Sequence, residues 1–501
     1  MTDVFKLTLD TPTYKGTVSC KTGLYINGEW VKPVEGGKID VMNPAKGQVI
    51  TTVSHGSEKD VDIAVKAAQK AYKTSWGLQA PGSARGQYLT KLADLLERDL
   101  LEFAALETLN TGKPFSVARE DMFASAAILR YYGGWADKIQ GKTIETNETK
   151  FAYTRHEPYG VIGQIIPWNV PLLMFAMKIG PALATGNTIV MKPSEMTPLT
   201  ALKFGDLATE AGLPPGVLNI VNGYGQTVGN AIAHHPDIRK IAFTGSTLTG
   251  RKIQEASAKS NLKVVSLELG GKSPSIIFDD ANLEQTIKWV SLGIFRNMGQ
   301  VCFAGTRIFV QEGIYDAFIK GFTEAARVLA TQTGDPFGEK TAHGSQISKT
   351  QFDRVMSYIE SGKSAGAKVE IGGERHGNEG YFIKPTIFTN VKPDMKIVRE
   401  EIFGPVASII KFKAEEEVIE MANDTSYGLA CGVFTENSSR AVRVAHALEA
   451  GTAWVNCYTT VEISVPFGGF KESGIGRELG EYALELYTQV KSVHVNIGLR
   501  L

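Results

Sequence analysis

The sequence predicts an α/β fold made of two doubly wound, Rossmann-like domains. A chain of 501 residues with 43% hydrophobic residues and 52 glycines is too long for one core and favours two large domains. From Tyr159 onward short apolar strands alternate with helices, and a second alternation runs from Asp280 to about Gly469. Such alternation is typical of βαβ units in a parallel sheet.

Local patterns predict the individual elements. Helices are expected to dominate the first third of the chain, where residues 57–73 and 83–109 are amphipathic. Ser57 and Asp60 stand in capping-box spacing at the start of the first helix. In the alternating part we expect, in order, strand 161–166, helix 171–184, strand 188–191, helix 198–211, and strands 217–221, 241–244 and 264–268.

Charge and hydropathy give no support for a nucleic-acid or membrane partner. Lys plus Arg and Asp plus Glu both number 53, so the formal net charge is zero and no polyanion is attracted. The longest apolar run, residues 170–177, contains Pro171 and is far shorter than the roughly 20 residues that span a bilayer. We interpret it as the start of a buried helix.

The cysteines and the first residues favour a reducing compartment. Cys20, Cys302, Cys431 and Cys457 show no pairing or regular spacing, so neither a disulfide framework nor a zinc site is predicted, and no metal is expected. Residues 1–6 have neither a secretory nor a mitochondrial targeting pattern. A cytoplasmic location is therefore expected.

Cys302 is the residue that points most directly to chemistry. A lone cysteine is more often a small core residue, but this one lies in a loop-like break between an apolar helix and an apolar strand, flanked by Gly299, Gln300 and Gly305. Backbone N–H groups at the end of an element can point at a developing charge. The position therefore suits a working thiol.

A candidate general base lies shortly upstream. Glu268 stands between Leu267 and Leu269, before Gly270 and Gly271, where desolvation would raise the pKa of its carboxyl group. We place a domain boundary near the two glycines, between the base and the thiol. The active site is then predicted in a cleft between the domains.

The nucleotide-binding signal is weak when taken alone. No GxGxxG occurs, and the near match to a P-loop at 245–252 has Arg251 in place of the required Lys, so the ATPase interpretation fails. What remains is the strand 241–244, a turn at Gly245 and Ser246, and a helix N-terminus, which is suited to hold a pyrophosphate.

Five further motifs and the segments around Glu268 and Cys302 are long, ordered and mutually consistent. They are GLYINGEW at 23–30, PWN at 167–169, KPSE at 192–195, FTGST at 243–247 and EEIFGP at 400–405. With them the chain resembles the NAD(P)-dependent aldehyde dehydrogenase superfamily, and within it the tetrameric class 1 and class 2 (cytosolic and mitochondrial) enzymes. The resemblance extends from about Gly23 to Lys491.

The resemblance implies that NAD is the cofactor, bound by a variant mode without the three-glycine fingerprint. Lys192 and Glu195 match the positions that hold the adenosine ribose, and a carboxylate there accepts hydrogen bonds from two free hydroxyls but repels a 2′-phosphate. Glu195 could otherwise be an acid at the start of helix 198–211.

Glu401 and Phe403 match the positions that hold the nicotinamide ribose and the nicotinamide ring. They could otherwise be an ordinary turn acid and a core aromatic. The other implied contacts are Ile165, Ile166, Pro167, Trp168, Ser194, Gly225, Gly229, Phe243, Thr244, Gly245, Ser246 and Leu269.

The resemblance also implies a reaction. A Cys302 thiolate adds to the aldehyde, and the resulting alkoxide expels hydride to nicotinamide. Asn169 matches the amide that forms an oxyanion hole with the Cys302 backbone N–H, although it could be a turn residue. Glu268 then activates the water that hydrolyses the thioester. Lys178 and Glu478 match positions that connect Glu268 with solvent, or could be solvated charges or simple ion-pair partners.

Departures from the family pattern concern the substrate and the adenine pocket. Val170 stands where an aromatic residue is usual, Met177 where Trp is frequent, and Ala124 is small, so a wider tunnel is expected. Leu248 replaces a frequent acid and would alter the adenine pocket. The implied substrate pocket comprises Ala124, Val170, Met174, Met177, Phe303, Cys457 and Phe467.

The resemblance also implies domain limits and an assembly. Residues 1–140 and 158–270 are expected to form the NAD-binding domain, and residues 271–470 the catalytic domain. Residues 141–157 and 486–501 lie outside both alternations and include strand-like stretches such as 492–497. They are expected to be oligomerisation strands of a homotetramer, because an open strand edge seeks a partner.

Two other functions remain open at the level of sequence. A non-catalytic member of the family would be expected to have lost part of its catalytic set, whereas Cys302, Glu268 and Asn169 are all present. The same thiol and oxyanion hole could serve ester hydrolysis, because the second half-reaction already hydrolyses a thioester. Dependence of turnover on NAD would separate these alternatives.

Overall fold

The fold begins with strands rather than helices. The computed structural model describes residues 3–501. The expectation that helices dominate the first third is wrong at its start, because six short strands pair there as three antiparallel ladders. These strands are β1 (Val4–Asp10), β2 (Lys15–Lys21), β3 (Leu24–Ile26), β4 (Glu29–Val31), β5 (Lys38–Asn43) and β6 (Gln48–Ser54).

Four helices follow, α1 (Glu58–Thr74), α2 (Gly82–Arg98), α3 (Leu100–Thr111) and α4 (Phe115–Trp135). The capping box of α1 is present, with Asp60 Oδ2 accepting a hydrogen bond from the Ser57 backbone N–H at 2.8 Å. The single helix predicted over 83–109 is wrong. Asp99 has φ −98° and ψ 13°, outside helical geometry, and divides the segment into α2 and α3.

The first large sheet matches the predicted alternation closely. Its elements, with the strands that precede it, are β7 (Thr143–Asn147), β8 (Lys150–Pro158), β9 (Val161–Ile165), α5 (Pro171–Ala184), β10 (Thr188–Lys192), α6 (Leu199–Ala211), β11 (Leu218–Ile220), α7 (Asn230–His234), β12 (Lys240–Thr244), α8 (Thr247–Lys259) and β13 (Val264–Glu268). Strands β13, β12, β9, β10 and β11 are parallel neighbours in that order. This is the doubly wound pattern expected from the sequence.

The elements that follow Gly271 include the seven strands of a second large sheet. They are β14 (Pro274–Ile277), α9 (Leu283–Phe295), β15 (Arg307–Gln311), α10 (Tyr315–Thr331), α11 (Lys349–Ser364), β16 (Lys368–Ile371), β17 (Thr386–Thr389), α12 (Lys396–Arg399), β18 (Val406–Phe412), α13 (Glu415–Asn423), β19 (Tyr427–Gly428), β20 (Ala430–Phe434), α14 (Ser438–Ala447), β21 (Thr452–Val455), β22 (Phe470–Lys471), β23 (Gly474–Ile475), α15 (Tyr482–Glu485) and β24 (Thr488–Asn496). Its strand order is β16-β17-β18-β15-β14-β20-β21, and only the β16–β17 pair is antiparallel.

Four late strands lie outside this sheet. β19 pairs antiparallel with β22 in a separate two-stranded ladder. β23 pairs antiparallel with β13, aligning Gly474 with Glu268 and Ile475 with Leu267. β24 pairs with β8 over nine residues, from Thr488 opposite Pro158 to Asn496 opposite Lys150, in a three-stranded sheet ordered β24-β8-β7. None of the helices between residues 3 and 501 has the length and apolar character needed to cross a membrane.

Candidate active site

The candidate thiol and base come together where the two large sheets meet. Glu268 ends β13, and Cys302 lies in the loop between α9 and β15. Both line a cavity of about 160 Å³, together with Asn169. The carboxyl ends of parallel strands are the usual location of binding sites in such sheets.

An unusual turn brings Cys302 to this position. Asn297 and Met298 have φ values of 50° and 56°, in the left-handed region, and Gly299 has φ 70°. A Cβ atom at Gly299 would lie 2.1 Å from the carbonyl oxygen of Gly404, so the close approach of the two loops requires glycine there. The turn therefore ends α9 sharply and directs the chain back towards Glu268.

Glu268 has the electrostatic properties of a general base near neutral pH. Its side chain is buried, and neither carboxylate oxygen has a hydrogen-bond partner of normal geometry among residues 3–501. Burial raises the pKa of Glu268 to about 7; Lys178 and the neighbouring Cys302 thiol oppose this rise, and Glu478 adds to it. The group is thus close to half-ionised at neutral pH.

The Cys302 side chain lines the cavity and is partly exposed. Burial by the surrounding protein raises the pKa of the Cys302 thiol well above its usual value, and the negative charges of Glu268 and Glu401 raise it further. With its pKa raised in this way, the thiol is protonated at neutral pH. Activation of this nucleophile therefore requires a base, and Glu268 is the adjacent candidate.

Asn169 is anchored so that its amide faces the catalytic loop. Asn169 Nδ2 donates to the Gln300 carbonyl oxygen at 3.0 Å, and Asn297 Nδ2 donates to the Asn169 carbonyl oxygen at 3.0 Å. The Asn169 amide group has a second N–H, which remains for a ligand. The sequence did not single out Asn297; its only signal was a preference of Asn for left-handed turns.

Lys178 and Glu478 form a buried ion pair behind Glu268. Lys178 Nζ is bonded to Glu478 Oε1, and their side chains are 1% and 7% exposed. The alternative that both are solvated charges is therefore wrong. The Glu478 backbone exchanges two hydrogen bonds of 2.7 Å with Phe467, which connects the pair to the neighbouring tunnel wall.

Glu401 and Phe403 stand on the opposite side of the cavity. Glu401 Oε1 accepts from the Gly271 backbone N–H at 3.1 Å, and a Cβ atom at Gly270 would lie 2.4 Å from Glu401 Oε2. Phe403 meets Trp168 edge to face, with ring centroids 5.2 Å apart. Phe403 is thus a cavity-wall residue rather than a core aromatic.

Two residues that the sequence did not reveal hold this loop. Gln351 Nε2 donates to the Phe403 carbonyl oxygen at 2.8 Å, and Arg354 Nη2 donates to that of Glu401 at 2.8 Å. Both residues are on α11 and line the cavity. Each of them binds a backbone oxygen some 50 residues away in the chain. No local sequence pattern indicates such a contact.

The implied cofactor residues divide into three groups. Those lining the catalytic cavity are Pro167, Trp168, Thr244, Gly245, Ser246, Leu269, Glu401 and Phe403. A second cavity, of about 680 Å³, is lined by Ile165, Glu195, Gly225, Gly229 and Phe243. Residues outside both linings are Ile166, Lys192 and Ser194.

Lys192 supports the second cavity indirectly. Its buried Nζ donates to Glu195 Oε2 at 3.0 Å and to the Pro193 carbonyl oxygen at 3.0 Å. Glu195 precedes α6 and is not in its first turn, so the alternative of a helix-start acid is not supported. Ser194 caps a turn, its Oγ accepting from the Met196 backbone N–H at 3.3 Å.

The two cavities are both lined by the segment from β12 into α8. Phe243 and Thr249 line the cavity of about 680 Å³, and Gly245 and Ser246, in the turn between β12 and α8, line the catalytic cavity. The Ser246 side chain caps α8, whose 13 residues present backbone N–H groups at that turn. The Glu195 carboxylate lines the cavity of about 680 Å³ and the Glu401 carboxylate lines the catalytic cavity, and each is suited to accept from ribose hydroxyls.

A third cavity, of about 290 Å³, approaches Cys302 from the other side. Of the predicted substrate residues it is lined by Ala124, Val170, Met174, Met177, Phe303 and Phe467. Cys457 is outside that lining, and its Sγ lies 3.5 Å from Thr460 Oγ1. Cys302, Asn169 and Met174 line both this tunnel and the catalytic cavity, so the two meet at the thiol.

Comparisons with known proteins agree with this geometry. The family model described as "Aldehyde dehydrogenase family" matches residues 30–493. An aldehyde dehydrogenase of Agaricus bisporus is 59% identical over 100% of both chains. Aldehyde dehydrogenase 1A1 of Oryctolagus cuniculus is 53% identical over 95% of this chain and 96% of the relative.

Solved structures give the same result. A structure described as the NAD⁺ complex of aldehyde dehydrogenase from Bacillus cereus has a TM-score of 0.93 and 49% identity, covering 95% of this chain and 97% of that one. The resemblance and the fold class predicted from the sequence are thereby confirmed. The chain belongs to the aldehyde dehydrogenase family.

Proposed function

We propose that this chain oxidises an aldehyde to its carboxylic acid with NAD as the acceptor. The observation that carries the proposal is the convergence at Cys302 of an apolar tunnel and a cleft that fits a dinucleotide, beside an unpartnered carboxylate and an amide donor. The overall reaction consumes the aldehyde, NAD⁺ and water, and produces the acid, NADH and a proton.

The residues divide the chemistry between them. Glu268 takes the thiol proton, and Cys302 Sγ forms a bond to the aldehyde carbon. The free Asn169 N–H and the Cys302 backbone N–H stabilise the oxyanion, a contribution of about 3–4 kcal/mol for one such donor. NAD, when bound, supplies the acceptor for the hydride that leaves this carbon.

The second half of the reaction belongs to Glu268. After hydride loss the acyl group remains on Cys302 as a thioester, and Glu268 removes a proton from the water that attacks it. The C–S bond breaks, the acid leaves and the thiol is restored. The buried Lys178–Glu478 pair next to Glu268 is proposed to pass the released proton towards solvent.

An assay of NAD dependence tests the proposed function. Purified protein is given an aldehyde panel with and without NAD, and in parallel a nitrophenyl ester. NADH formation that requires both aldehyde and NAD supports a dehydrogenase. Ester hydrolysis without NADH formation identifies an esterase. Absence of activity in both assays identifies a binding or structural protein.

We predict a preference for NAD over NADP. The Glu195 carboxylate lines the larger cavity and is fixed by Lys192, so a 2′-phosphate there would meet a negative charge. We expect kcat/KM to be at least about tenfold higher for NAD, and Glu195→Gln to narrow that ratio. Glu284→Gln, which removes an exposed acid on α9, is the matched control and should leave the ratio unchanged. A clear NADP preference in the parent chain would contradict this role of Glu195.

We also predict that larger apolar aldehydes are better substrates than acetaldehyde. Val170, Met177 and Ala124 leave a tunnel of about 290 Å³. Each buried CH₂ contributes about 0.8 kcal/mol, or roughly fourfold, so kcat/KM should rise from acetaldehyde to hexanal and be high for benzaldehyde. Met177→Trp should abolish the rise while sparing acetaldehyde. A flat or falling series in the parent chain would show that the tunnel does not bind longer substrates.

The assembly, the domain limits and the compartment complete the proposal. We propose that β7 and β24, the two open edges of the three-stranded sheet, mediate a homotetramer, supported by the exposed Ile144, Val490 and Ile497 near them. We also propose that residues 1–140 and 158–270 form the NAD-binding domain and residues 271–470 the catalytic domain. The solution mass tests the assembly. A cytosolic location is supported by four unpaired cysteines.

A further inference from the structure

A charged cluster with no part in the proposed chemistry is buried behind the tunnel. Lys113 Nζ donates to Glu107 Oε1 at 2.9 Å and to Asp121 Oδ2 at 2.6 Å. The side chains of Lys113 and Glu107 are 0% exposed, and that of Asp121 is 6% exposed. Burying charges so deeply is costly even when they are paired, so stability alone is a weak reason for this cluster.

The cluster has one contact that points towards the active site. Glu107 Oε2 accepts a hydrogen bond from the Leu172 backbone N–H at 3.3 Å, in the first turn of α5. Val170, the residue before α5, makes no side-chain cap, and Pro171 has no N–H to offer. A carboxylate at a helix N-terminus satisfies a free N–H group and complements the helix dipole. Glu107, on α3, therefore caps α5 from a different helix.

Helix α5 carries several parts of the active site. Asn169 stands two residues before its start, Met174 and Met177 line the tunnel, and Lys178 pairs with Glu478. A shift of the first turn of α5 would displace the Asn169 amide from the oxyanion. Oxyanion donors act only within narrow geometric limits, so small displacements are costly.

We propose that Glu107, fixed by Lys113 and Asp121, is a positioning residue that holds the first turn of α5 and thereby places the Asn169 amide for catalysis. The inference rests on the proposed function, in which Asn169 stabilises the oxyanion. Asp121 is on α4 and also lines the tunnel, so the cluster connects α3, α4 and the start of α5. The contribution of Glu107 is to position Asn169, and it does not touch the substrate.

A double-mutant cycle separates positioning from general stability. The variants are Glu107→Gln, Glu107→Ala and Asn169→Ala, alone and combined, and the rate of the first NADH turnover is measured per reactive thiol. We expect Glu107→Ala to lower this rate about 10- to 100-fold with NAD affinity unchanged. Glu107→Gln should recover part of the rate, because its amide oxygen still accepts from Leu172. In the Asn169→Ala background Glu107→Ala should add almost nothing.

The matched control is Thr200→Val. Thr200, on α6, donates from its Oγ1 to the same Glu107 Oε2 at 3.2 Å. The hydrogen bond to the first turn of α5 is made by Glu107 and not by Thr200, so loss of the Thr200 hydroxyl should change the rate less than about twofold. Equal rate losses from Glu107→Ala with and without Asn169 would overturn the inference, as would a parental rate per thiol in the folded Glu107→Ala protein.

Hydrolysis of a nitrophenyl ester distinguishes this inference from the proposed function. The ester uses the same thiol and oxyanion hole but needs no NAD. If the parent chain hydrolyses the ester and makes no NADH, the proposed function fails, and the same cycle is then measured on ester acylation. Non-additive losses there still support positioning by Glu107, and additive losses overturn it. Should Glu107→Ala not fold, Glu107→Gln against Asn169→Ala gives the same comparison with a smaller effect.

Discussion

Replacement of Cys302 by alanine is expected to abolish aldehyde oxidation while leaving the fold and NAD binding intact. The thiol is the only group at this position that can form the covalent adduct, so the loss should reach about 10⁴-fold or more. Cys302 lies in a loop and is partly exposed, so its truncation removes little core packing. Steady-state NADH formation, thermal unfolding and NAD titration measure the three quantities.

Cys457→Ala is the matched control for that experiment. Cys457 is also partly exposed, but it does not line the tunnel or the catalytic cavity. Its replacement should leave turnover within about twofold of the parent, as for most surface substitutions. Retained turnover in Cys302→Ala would remove this thiol from the mechanism.

Glu268→Gln is expected to separate the two half-reactions. The base acts on water after hydride loss, so one equivalent of NADH should still form per thiol while steady-state turnover falls by about 10²- to 10⁴-fold. Because Glu268 also takes the thiol proton, the burst should be slower at neutral pH and recover at higher pH. Rapid-mixing absorbance measures burst and steady state together. Loss of the burst at every pH would mean that Glu268 has a role before hydride transfer other than taking the thiol proton.

The environment of Glu268 determines how turnover and stability change with pH. Burial raises the pKa of Glu268 to about 7, and only the ionised form is a base, so parental turnover should rise as the pH increases through about 7. The folded protein binds this proton more tightly than the unfolded chain does. Its contribution to stability is therefore full below about pH 4.5 and is lost as the pH rises to 7. Glu268→Gln should remove the rise of steady-state turnover centred near pH 7 and the contribution of this carboxyl group to the pH dependence of stability.

The sequence predicted the elements around the site better than the beginning of the chain. Helix 171–184 coincides with α5, because Pro171 favours a helix start and the following residues are uniformly apolar. The break at Asp99 escaped prediction because helix-forming residues continue on both sides of it with no Gly or Pro beside it, and β1 and β6 are short strands with irregular burial. Each of the first six strands pairs with its neighbour in the chain, β1 with β2, β3 with β4 and β5 with β6.

The site residues that could be predicted are those with a signal among their immediate neighbours in the sequence. Glu268 and Cys302 each stand out through their immediate neighbours, and the resemblance supplied Asn169. The buried pairing of Lys178 with Glu478 spans 300 residues, so burial could not be separated from solvent exposure in the sequence. Gln351 and Arg354 donate to backbone carbonyl oxygens, which every residue type has, so these contacts leave no pattern in the sequence.

The pairing of β23 with β13 has a consequence for biosynthesis. Until Gly474 and Ile475 leave the ribosome, β13 is an unpaired edge strand, although Glu268 at its end was made about 200 residues earlier. At about 5–20 residues per second this interval lasts roughly 10–40 s. During this interval the nascent chain already contains both Cys302 and Glu268. The strand that ends at Glu268, β13, has an unpaired edge with which other chains can pair. Co-translational aggregation, and protection by chaperones, should therefore concentrate in this window.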